Sequence, residues 1–100
     1  MKCHSYDQFF EVIANRTRLK IIQSLYKSPK CVKDICEDIK EEQSNVSHSL
    51  RLLAKCHFVK VKQEGKCRVY SLQEKTIMPI MRMVDQHVKS HCTGHCWRRQ

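Results

Sequence analysis

The fold is decided by residues 43–72, QSNVSHSLRLLAKCHFVKVKQEGKCRVYSL. The first part predicts a helix at about 44–55 with Ser44 as its cap, because apolar residues recur every three or four positions. The second part predicts a hairpin at about 58–72 that turns at Gly65, because apolar and polar residues alternate there. The repeating apolar residues of the helix are Val46, Leu50 and Leu53. A helix followed directly by a hairpin is therefore expected.

Helical spacing extends to both sides of this segment. Three short helices are expected before it, at residues 7–14, 16–27 and 32–39. Asn15 is expected to cap the second of them, and a last helix is expected from about residue 74 to residue 90. This order predicts a mostly α fold with a β-hairpin wing, a winged helix-turn-helix, in one domain over residues 1–100.

The outer side of the helix at 44–55 carries short hydrogen-bonding groups and one cation, with no acid among them: Gln43, Ser44, Asn45, Ser47, His48 and Arg51. Such groups hydrogen-bond base edges in the major groove of duplex DNA, so this is predicted to be a recognition helix. The hairpin adds four basic residues placed to reach phosphates: Lys60, Lys62, Lys66 and Arg68. The net charge of +9, from 19 Lys and Arg against 10 Asp and Glu, favours a polyanionic partner.

Composition and motifs exclude several other classes. The chain has two glycines, too few for a glycine-rich phosphate loop, and no nucleophile–base motif, so no enzyme is expected. No apolar run is long enough to cross a bilayer, and residues 1–7 lack the apolar stretch of a signal peptide, so a cytoplasmic protein is expected. The seven cysteines are an odd number without a CxxC pair, which favours reduced thiols over a disulfide frame or a zinc ribbon.

Several segments resemble the ArsR/SmtB family of transcriptional repressors. Residues 13–22, IANRTRLKII, resemble the opening segment of the family, and residues 31–36, CVKDIC, resemble its cysteine-containing segment. Residues 44–53, SNVSHSLRLL, are similar to the family's recognition helix, and residues 64–72 are similar to its wing. The similarity covers about residues 9–72, and on it the chain is identified as a member of the family.

The resemblance implies a homodimer held by the first and last helices. Such a dimer binds a palindromic operator near its own promoter, and inducer binding weakens its affinity for DNA. The sequence supports the dimer independently, because a chain of 100 residues could bury only part of its apolar helix surface as a monomer. That surface comprises Ile77, Ile80, Met81, Val84 and Val88 on the last helix, with Phe9 and Phe10 on the first.

The end of the chain concentrates candidate metal ligands: Asp85, His87, His91, Cys92, His95 and Cys96. The pairs His87/His91, His91/His95 and Cys92/Cys96 are each four residues apart, so each shares one helix face where tetrahedral coordination could use both donors. Asp85 and His87 resemble one half of the family's interfacial zinc site, whereas the other half would fall at Arg98 and past residue 100. A shifted site would use His91 with His95, or Cys92 with His95. Zinc or another thiophilic metal or metalloid ion is the expected inducer.

A second candidate metal site lies beside the recognition helix. Cys31 matches the first cysteine of the family's segment, but Lys33 replaces the second, and a cation opposes metal binding. Cys36, with Cys3 or His4 from the N-terminal arm, would have to complete this weaker site. Cys36 also lies on the apolar side of its helix, where a core role is expected.

Two other modes of regulation stay open. Cys92 and Cys96 could form a thiol-redox or persulfide sensor, although the second helix has Ile22 and Gln23 where such family members have a partner cysteine. Alternatively, the chain could be a winged-helix protein that binds DNA constitutively and has no ligand.

Overall fold

The computed structural model describes residues 5–91, which form five helices and three strands. In chain order these are α1 (Tyr6–Ile13), α2 (Arg16–Lys27), β1 (Lys30–Cys31), α3 (Val32–Ile39), α4 (Gln43–Lys55), β2 (Val59–Glu64), β3 (Cys67–Leu72) and α5 (Ile77–His91). Within that range, no helix is both long and apolar enough to span a membrane.

The strands form one antiparallel sheet in the order β1-β3-β2. β2 and β3 make the expected hairpin, and Gly65 adopts φ +62° in its turn, a left-handed conformation that glycine reaches without strain. The sequence predicted only this hairpin and missed β1. That strand is two residues long, pairs Lys30 with Tyr70 and Cys31 with Val69, and is too short to show alternation.

The helix caps confirm one prediction and correct another. Asn15 caps α2 as expected, with its side-chain oxygen accepting from the Arg18 amide at 3.0 Å. Ser44 does not cap α4, because the helix begins one residue earlier at Gln43. Glu42 takes the cap position with extended backbone angles, φ −70° and ψ 149°, and its side chain makes no cap hydrogen bond. Its negative charge still suits the positive end of the helix dipole.

The last helix starts later than the sequence predicted. α5 begins at Ile77, and residues 74–76 form a turn before it. Pro79 explains the difference, because proline has no amide hydrogen and is tolerated only in the first turn, where amides lack helical partners. A helix that started at residue 74 would place Pro79 in its second turn and lose a backbone hydrogen bond there.

The core lies between α2, α3, α4 and the base of the sheet. Its most deeply buried hydrophobic residues are Val12, Ile21, Ile22, Ile35, Val46, Leu50, Leu53 and Phe58. The two phenylalanines that the sequence assigned to the dimer surface are divided, since Phe9 packs against this core while Phe10 is 62% exposed. Ile77 and Met81 of α5 also belong to this core, and not to the uncovered surface that the sequence predicted for them.

A tight junction connects α4 to β2. His57 adopts φ +62°. Its amide donates to the Ala54 carbonyl at 3.1 Å, while the amide of Phe58 donates to the Leu53 carbonyl at 2.8 Å. This pair of bonds is a Schellman motif, whose left-handed position is usually glycine. The wing therefore leaves α4 in a direction fixed by backbone hydrogen bonds.

Phe58 then joins this junction to the rest of the domain. Its ring stacks on Phe9 with centroids 5.0 Å apart and an interplanar angle of 25°. Its carbonyl accepts from the amide of Gln73, just after β3, at 3.0 Å. Only 1% of Phe58 is exposed. Its ring contacts α1 inside the core, and its backbone carbonyl closes the base of the hairpin.

Arg18 attaches α1 to α2. Its Nε donates to the carbonyl of Val12 at 2.6 Å, and its Nη2 donates to the carbonyl of Glu11 at 3.4 Å. The last carbonyls of a helix have no partner within the helix, so this guanidinium satisfies groups that would otherwise need water.

The left-handed His57 predicts that glycine is the better residue at this position. His57→Gly should raise the free energy of unfolding by about 0.5–1 kcal/mol, because relief of backbone strain outweighs the entropy gained by the unfolded chain. His57→Val should lower it by about 1 kcal/mol or more, because a β-branched residue resists this conformation. Urea unfolding at fixed protein concentration measures both, with Lys40→Gly at the other left-handed residue (φ +57°) as the matched comparison. A His57→Gly protein less stable than the parent would contradict the assignment.

Candidate nucleic-acid interface

The predicted recognition helix has one buried and one exposed side. The buried residues of α4 are Val46, Ser49, Leu50 and Leu53. They follow the three- and four-residue spacing of a helix packed on a core. Of the residues predicted to contact DNA, Ser47 is half-buried and the others are exposed: Gln43, Ser44, Asn45, His48 and Arg51. All six are therefore outside the core.

These six side chains do not share one direction. Ser44, Ser47, His48 and Arg51 occupy successive positions of one helix face, by the i, i+3, i+4, i+7 rule. Asn45 lies at one edge of this face, near Leu52 seven residues later. If these four side chains point into the major groove of DNA, Asn45 lies at the edge of that groove.

Lys55 belongs to the same surface, although it is not among the residues that the sequence predicted to contact DNA. Together with His48, Arg51 and Leu52 it lines a hollow of about 140 Å³ on the outside of α4. Its position could have been read from the sequence, since it follows His48 by seven residues and Arg51 by four. The last turn of α4 thus extends the basic surface.

The wing's basic residues divide between its two faces. Val61 pairs with Tyr70, and Gln63 pairs with Arg68, on the face that continues the buried pair Val59 and Leu72. Arg68 therefore projects from the side that faces α4, because alternate residues of a strand point to opposite sides. Lys60 and Lys62 have the intervening register positions and project from the other side.

Lys60 and Lys66 differ from Lys62 in their surroundings. Lys60 Nζ lies 3.4 Å from Glu74 Oε1, an exposed ion pair that joins the wing to the start of α5. Lys66 follows Gly65 at the tip of the hairpin and is exposed. The four predicted phosphate contacts therefore occupy three separate places on the wing.

A cleft separates α4 from the inner face of the wing. Its volume is about 460 Å³. We call it the α4–wing cleft. Its lining comes from α3, α4, β2 and β3: Val32, Ser47, Leu50, Arg51, Ala54, Val61, Arg68 and Tyr70. Two of the predicted DNA-binding cations, Arg51 and Arg68, thus line one concave surface.

Acidic residues are absent from α4 and from β2 as far as Gln63. Residues 43–63 contain no Asp or Glu, so α4 and most of β2 carry only positive charge. Half of the acids precede them, between Asp34 and Glu42. Two of these pair with lysines of α2: Glu41 with Lys20 at 3.5 Å, and Asp38 with Lys27 at 3.9 Å.

The candidate metal ligands of α5 lie in two separate environments. The rings of His87 and His91 are in contact, with centroids 4.8 Å apart. Asp85 is instead paired with Lys89 at 3.1 Å. Residues 5–91 contain no group of three His, Cys, Asp or Glu side chains arranged to hold a metal ion. Two imidazoles on one helix face are suitable donors for a borderline metal ion, but they need further ligands. Cys92, His95 and Cys96 lie outside the described residues.

The second candidate metal site is not assembled among the described residues. The thiol of Cys31 donates to Asp34 Oδ2 at 3.4 Å. Burial raises the pKa of the Cys36 thiol, which disfavours the thiolate that metals bind. Neither cysteine belongs to a three-ligand group within residues 5–91. Cys3 and His4 lie outside the described residues.

The sequence is similar to known bacterial regulators. A family profile described as bacterial regulatory protein, arsR family, matches residues 15–61. The transcriptional repressor SmtB homolog of Synechocystis is 33% identical over 82 residues, which cover 82% of this chain and 62% of that protein. The cadmium resistance transcriptional regulatory protein CadC homolog of Staphylococcus aureus is 30% identical over 79 residues, 78% of this chain and 65% of that protein. The chain thus spans less than two thirds of either relative.

The fold is shared as well. The solution structure of apo-NmtR matches with a TM-score of 0.74 and 30% identity, and the match covers 92% of this chain and 77% of that one. NmtR is an HTH-type transcriptional regulator of Mycobacterium tuberculosis. The similarity confirms the winged helix-turn-helix fold that the order of helices and strands predicted.

The division of the wing's charges predicts unequal effects on DNA affinity. Lys62→Ala and Lys66→Ala should each weaken binding to any duplex and reduce the slope of log affinity against log salt by about 1, because each removes one phosphate contact. Lys60→Ala should have a smaller effect, because Glu74 already neutralises part of its charge. Anisotropy titrations of a labelled duplex at several salt concentrations measure all three. Equal losses for Lys60→Ala and Lys62→Ala would contradict this ranking.

Proposed function

The chain belongs to the ArsR family of bacterial regulatory proteins, and on that premise we propose how it acts. It is a homodimeric repressor in the cytoplasm that binds a duplex DNA operator and releases it when a metal or metalloid ion binds. Family membership also confirms the prediction that the chain is a DNA-binding regulator and not an enzyme.

The exposed face of α4 is the observation that carries the DNA-binding proposal. It presents hydroxyl, imidazole and guanidinium groups in one row, Ser44, Ser47, His48 and Arg51, with Lys55 at its end. A helix fits a major groove about 12 Å wide, where an arginine can donate two hydrogen bonds to guanine. The wing then lies beside the groove, and its lysines and Arg68 contact phosphates.

The exposed side of α5 supports the homodimer. Ile80, Val84 and Val88 are 37%, 44% and 45% exposed, and Met83 is 63% exposed. Ile80, Val84, His87 and His91 follow one another at intervals of four, three and four residues, the spacing of a seam between paired helices. A second copy of α5 would cover this apolar seam, and the two-fold axis would match a palindromic operator.

The ligands of the metal ion are proposed on α5 and the residues after it. His87 and His91 lie on the same seam as Ile80 and Val84, so pairing of α5 would bring the donors of two subunits together. Asp85, Cys92, His95 and Cys96 are the remaining proposed ligands. A relative named for cadmium resistance supports a thiophilic ion, zinc included, as the inducer.

Arg51 is predicted to read a base. Arg51→Ala should weaken binding to the selected operator by about 1–3 kcal/mol and relax the preference at one base position. Arg51→Lys should keep much of the affinity for random DNA while losing that preference, because lysine cannot form the bidentate contact. Selection from a randomised duplex library, followed by anisotropy titrations, measures both. An equal loss of affinity for all sequences would show that Arg51 contacts a phosphate.

The inducer can be identified by release of DNA from the full-length chain. The duplex upstream of its own coding sequence is titrated with reduced protein, and Zn(II), Cu(I), As(III) and an oxidant are added in turn. One ion should weaken binding about 5- to 150-fold, the usual range of coupling between two sites. The double variants His87→Ala/His91→Ala and Cys92→Ser/Cys96→Ser should resist that ion. Cys67→Ser, at an exposed cysteine on the wing, is the matched control and should respond like the parent.

Other outcomes separate the alternatives. Release by the oxidant alone, lost in Cys92→Ser/Cys96→Ser, would identify a thiol-redox sensor instead of a metal sensor. Tight DNA binding that none of these agents reverses would identify a constitutive DNA-binding protein. Absence of binding to the upstream duplex and to every selected duplex would contradict the proposed function itself.

A further inference from the structure

The α4–wing cleft has a composition that DNA binding does not require. A phosphate backbone needs cations and hydrogen-bond donors. Five of the eight residues that line the cleft are apolar instead: Val32, Leu50, Ala54, Val61 and Tyr70. Its volume of about 460 Å³ is within the roughly 300–1,000 Å³ of small-molecule sites, which combine apolar walls with a few polar groups.

The register of the hairpin explains how this lining arises. On the inner face of the wing, the pair Val59 and Leu72 is buried in the core. The next pair outward, Val61 and Tyr70, lines the cleft, and Val61 is 40% exposed. Arg68 follows one pair further out. From the base of the hairpin toward its tip, the inner face of the wing therefore changes from apolar side chains to the cation Arg68 within two strand pairs.

The opposite wall repeats this arrangement on a helix. Ser47, Leu50, Arg51 and Ala54 are spaced i, i+3, i+4, i+7, so they form one side of α4. Half-buried Ala54 supplies apolar surface above the buried Leu50, while Ser47 and Arg51 supply polar groups. Each wall of the cleft thus combines an apolar surface with one arginine.

Neither arginine is neutralised within the described part of the chain. The four ion pairs among residues 5–91 involve Lys20, Lys27, Lys60 and Lys89. Arg51 and Arg68 have no carboxylate within ion-pair distance in that range. An unpaired guanidinium presents a planar pair of donors that matches a carboxylate.

We propose that the α4–wing cleft binds a small amphipathic anion, a compact apolar molecule with one carboxylate, and that this anion displaces DNA. The apolar body lies against Val61 and Tyr70, and the carboxylate is held between Arg51 and Arg68. Displacement follows because the same two arginines belong to the DNA interface, and this part rests on the proposed function. Such an anion acts at the DNA-binding surface itself, separately from any ion bound at α5.

A carboxylate probe and its uncharged analogue test the site. 4-tert-Butylbenzoate and 4-tert-butylbenzamide have the same apolar body and differ in charge. Each is titrated at millimolar concentration into ¹⁵N-labelled full-length protein without DNA. The benzoate should shift the amide resonances of Ala54, Val61 and Arg68. The affinity of the benzamide should be lower by at least roughly tenfold. Benzoate that shifts none of these resonances, or benzamide that binds equally well, would overturn the proposal.

Variants separate the cleft from other apolar surfaces. Arg68→Gln should weaken benzoate binding roughly tenfold, because the carboxylate loses one of its two guanidinium partners. Lys62→Gln removes a cation from the opposite face of the same hairpin, and should leave benzoate affinity unchanged. Ala54→Phe fills the cleft, and should abolish binding if its resonance pattern shows a folded protein. Equal losses in Arg68→Gln and Lys62→Gln would indicate general charge attraction and overturn the site.

Competition is measured with the same protein and a labelled duplex. Benzoate should release the duplex at the concentrations that shift the cleft resonances, and benzamide should not. Benzoate that occupies the cleft without releasing DNA would overturn the competition. A duplex that binds while 4-tert-butylbenzoate does not would show that Arg51 and Arg68 serve DNA binding alone, and would overturn the anion site. A protein that binds benzoate but no duplex would contradict the proposed function and leave the anion site standing.

Discussion

The arrangement of the domain depends on the contacts that the buried residue Phe58 makes. Its amide completes the Schellman motif at the end of α4, its ring stacks on Phe9 of α1, and its carbonyl closes the base of the hairpin through Gln73. Recognition helix, wing and first helix are therefore oriented relative to one another by a single buried residue. The separation of α4 from β2 and β3, which defines the α4–wing cleft, follows from the same junction.

The acidic and basic residues of the chain lie on different parts of this arrangement. A net charge of +9 alone does not define a binding surface. Two of the acids between Asp34 and Glu42 are held by lysines of α2, while residues 43–63 carry no acid at all. Positive charge consequently predominates along α4 and the wing, where Lys60 alone among the predicted DNA contacts has a carboxylate partner in the described part of the chain. An exposed surface of this kind attracts a polyanion over distances set by salt, and short polar side chains then select among sequences.

Much of this structure could be read from the sequence because periodicity and turn chemistry are local. The helical spacing in α4, the alternation after Phe58 and the cap at Asn15 each involve neighbouring residues, and the hairpin register follows from the turn at Gly65. Counting that register would also have separated Arg68 from Lys60 and Lys62. The late start of α5 was readable from Pro79. In contrast, β1 exists only through its pairing with β3, and the contact between Phe9 and Phe58 joins residues about half the chain apart. Neither leaves a local pattern. The metal ligands were identified only as donors at suitable spacing, because coordination depends on which side chains converge in space.

α5 divides into an inner and an outer half. Ile77 and Met81 belong to the core of one subunit, whereas Val84 and Val88 remain uncovered in it. A substitution in the outer half therefore removes little buried surface and should leave the fold of the subunit intact. On the proposed function, pairing and ion binding both depend on this outer half, so either can change there while α4 and the wing keep their structure. The boundary between core and free surface runs through the middle of a single helix.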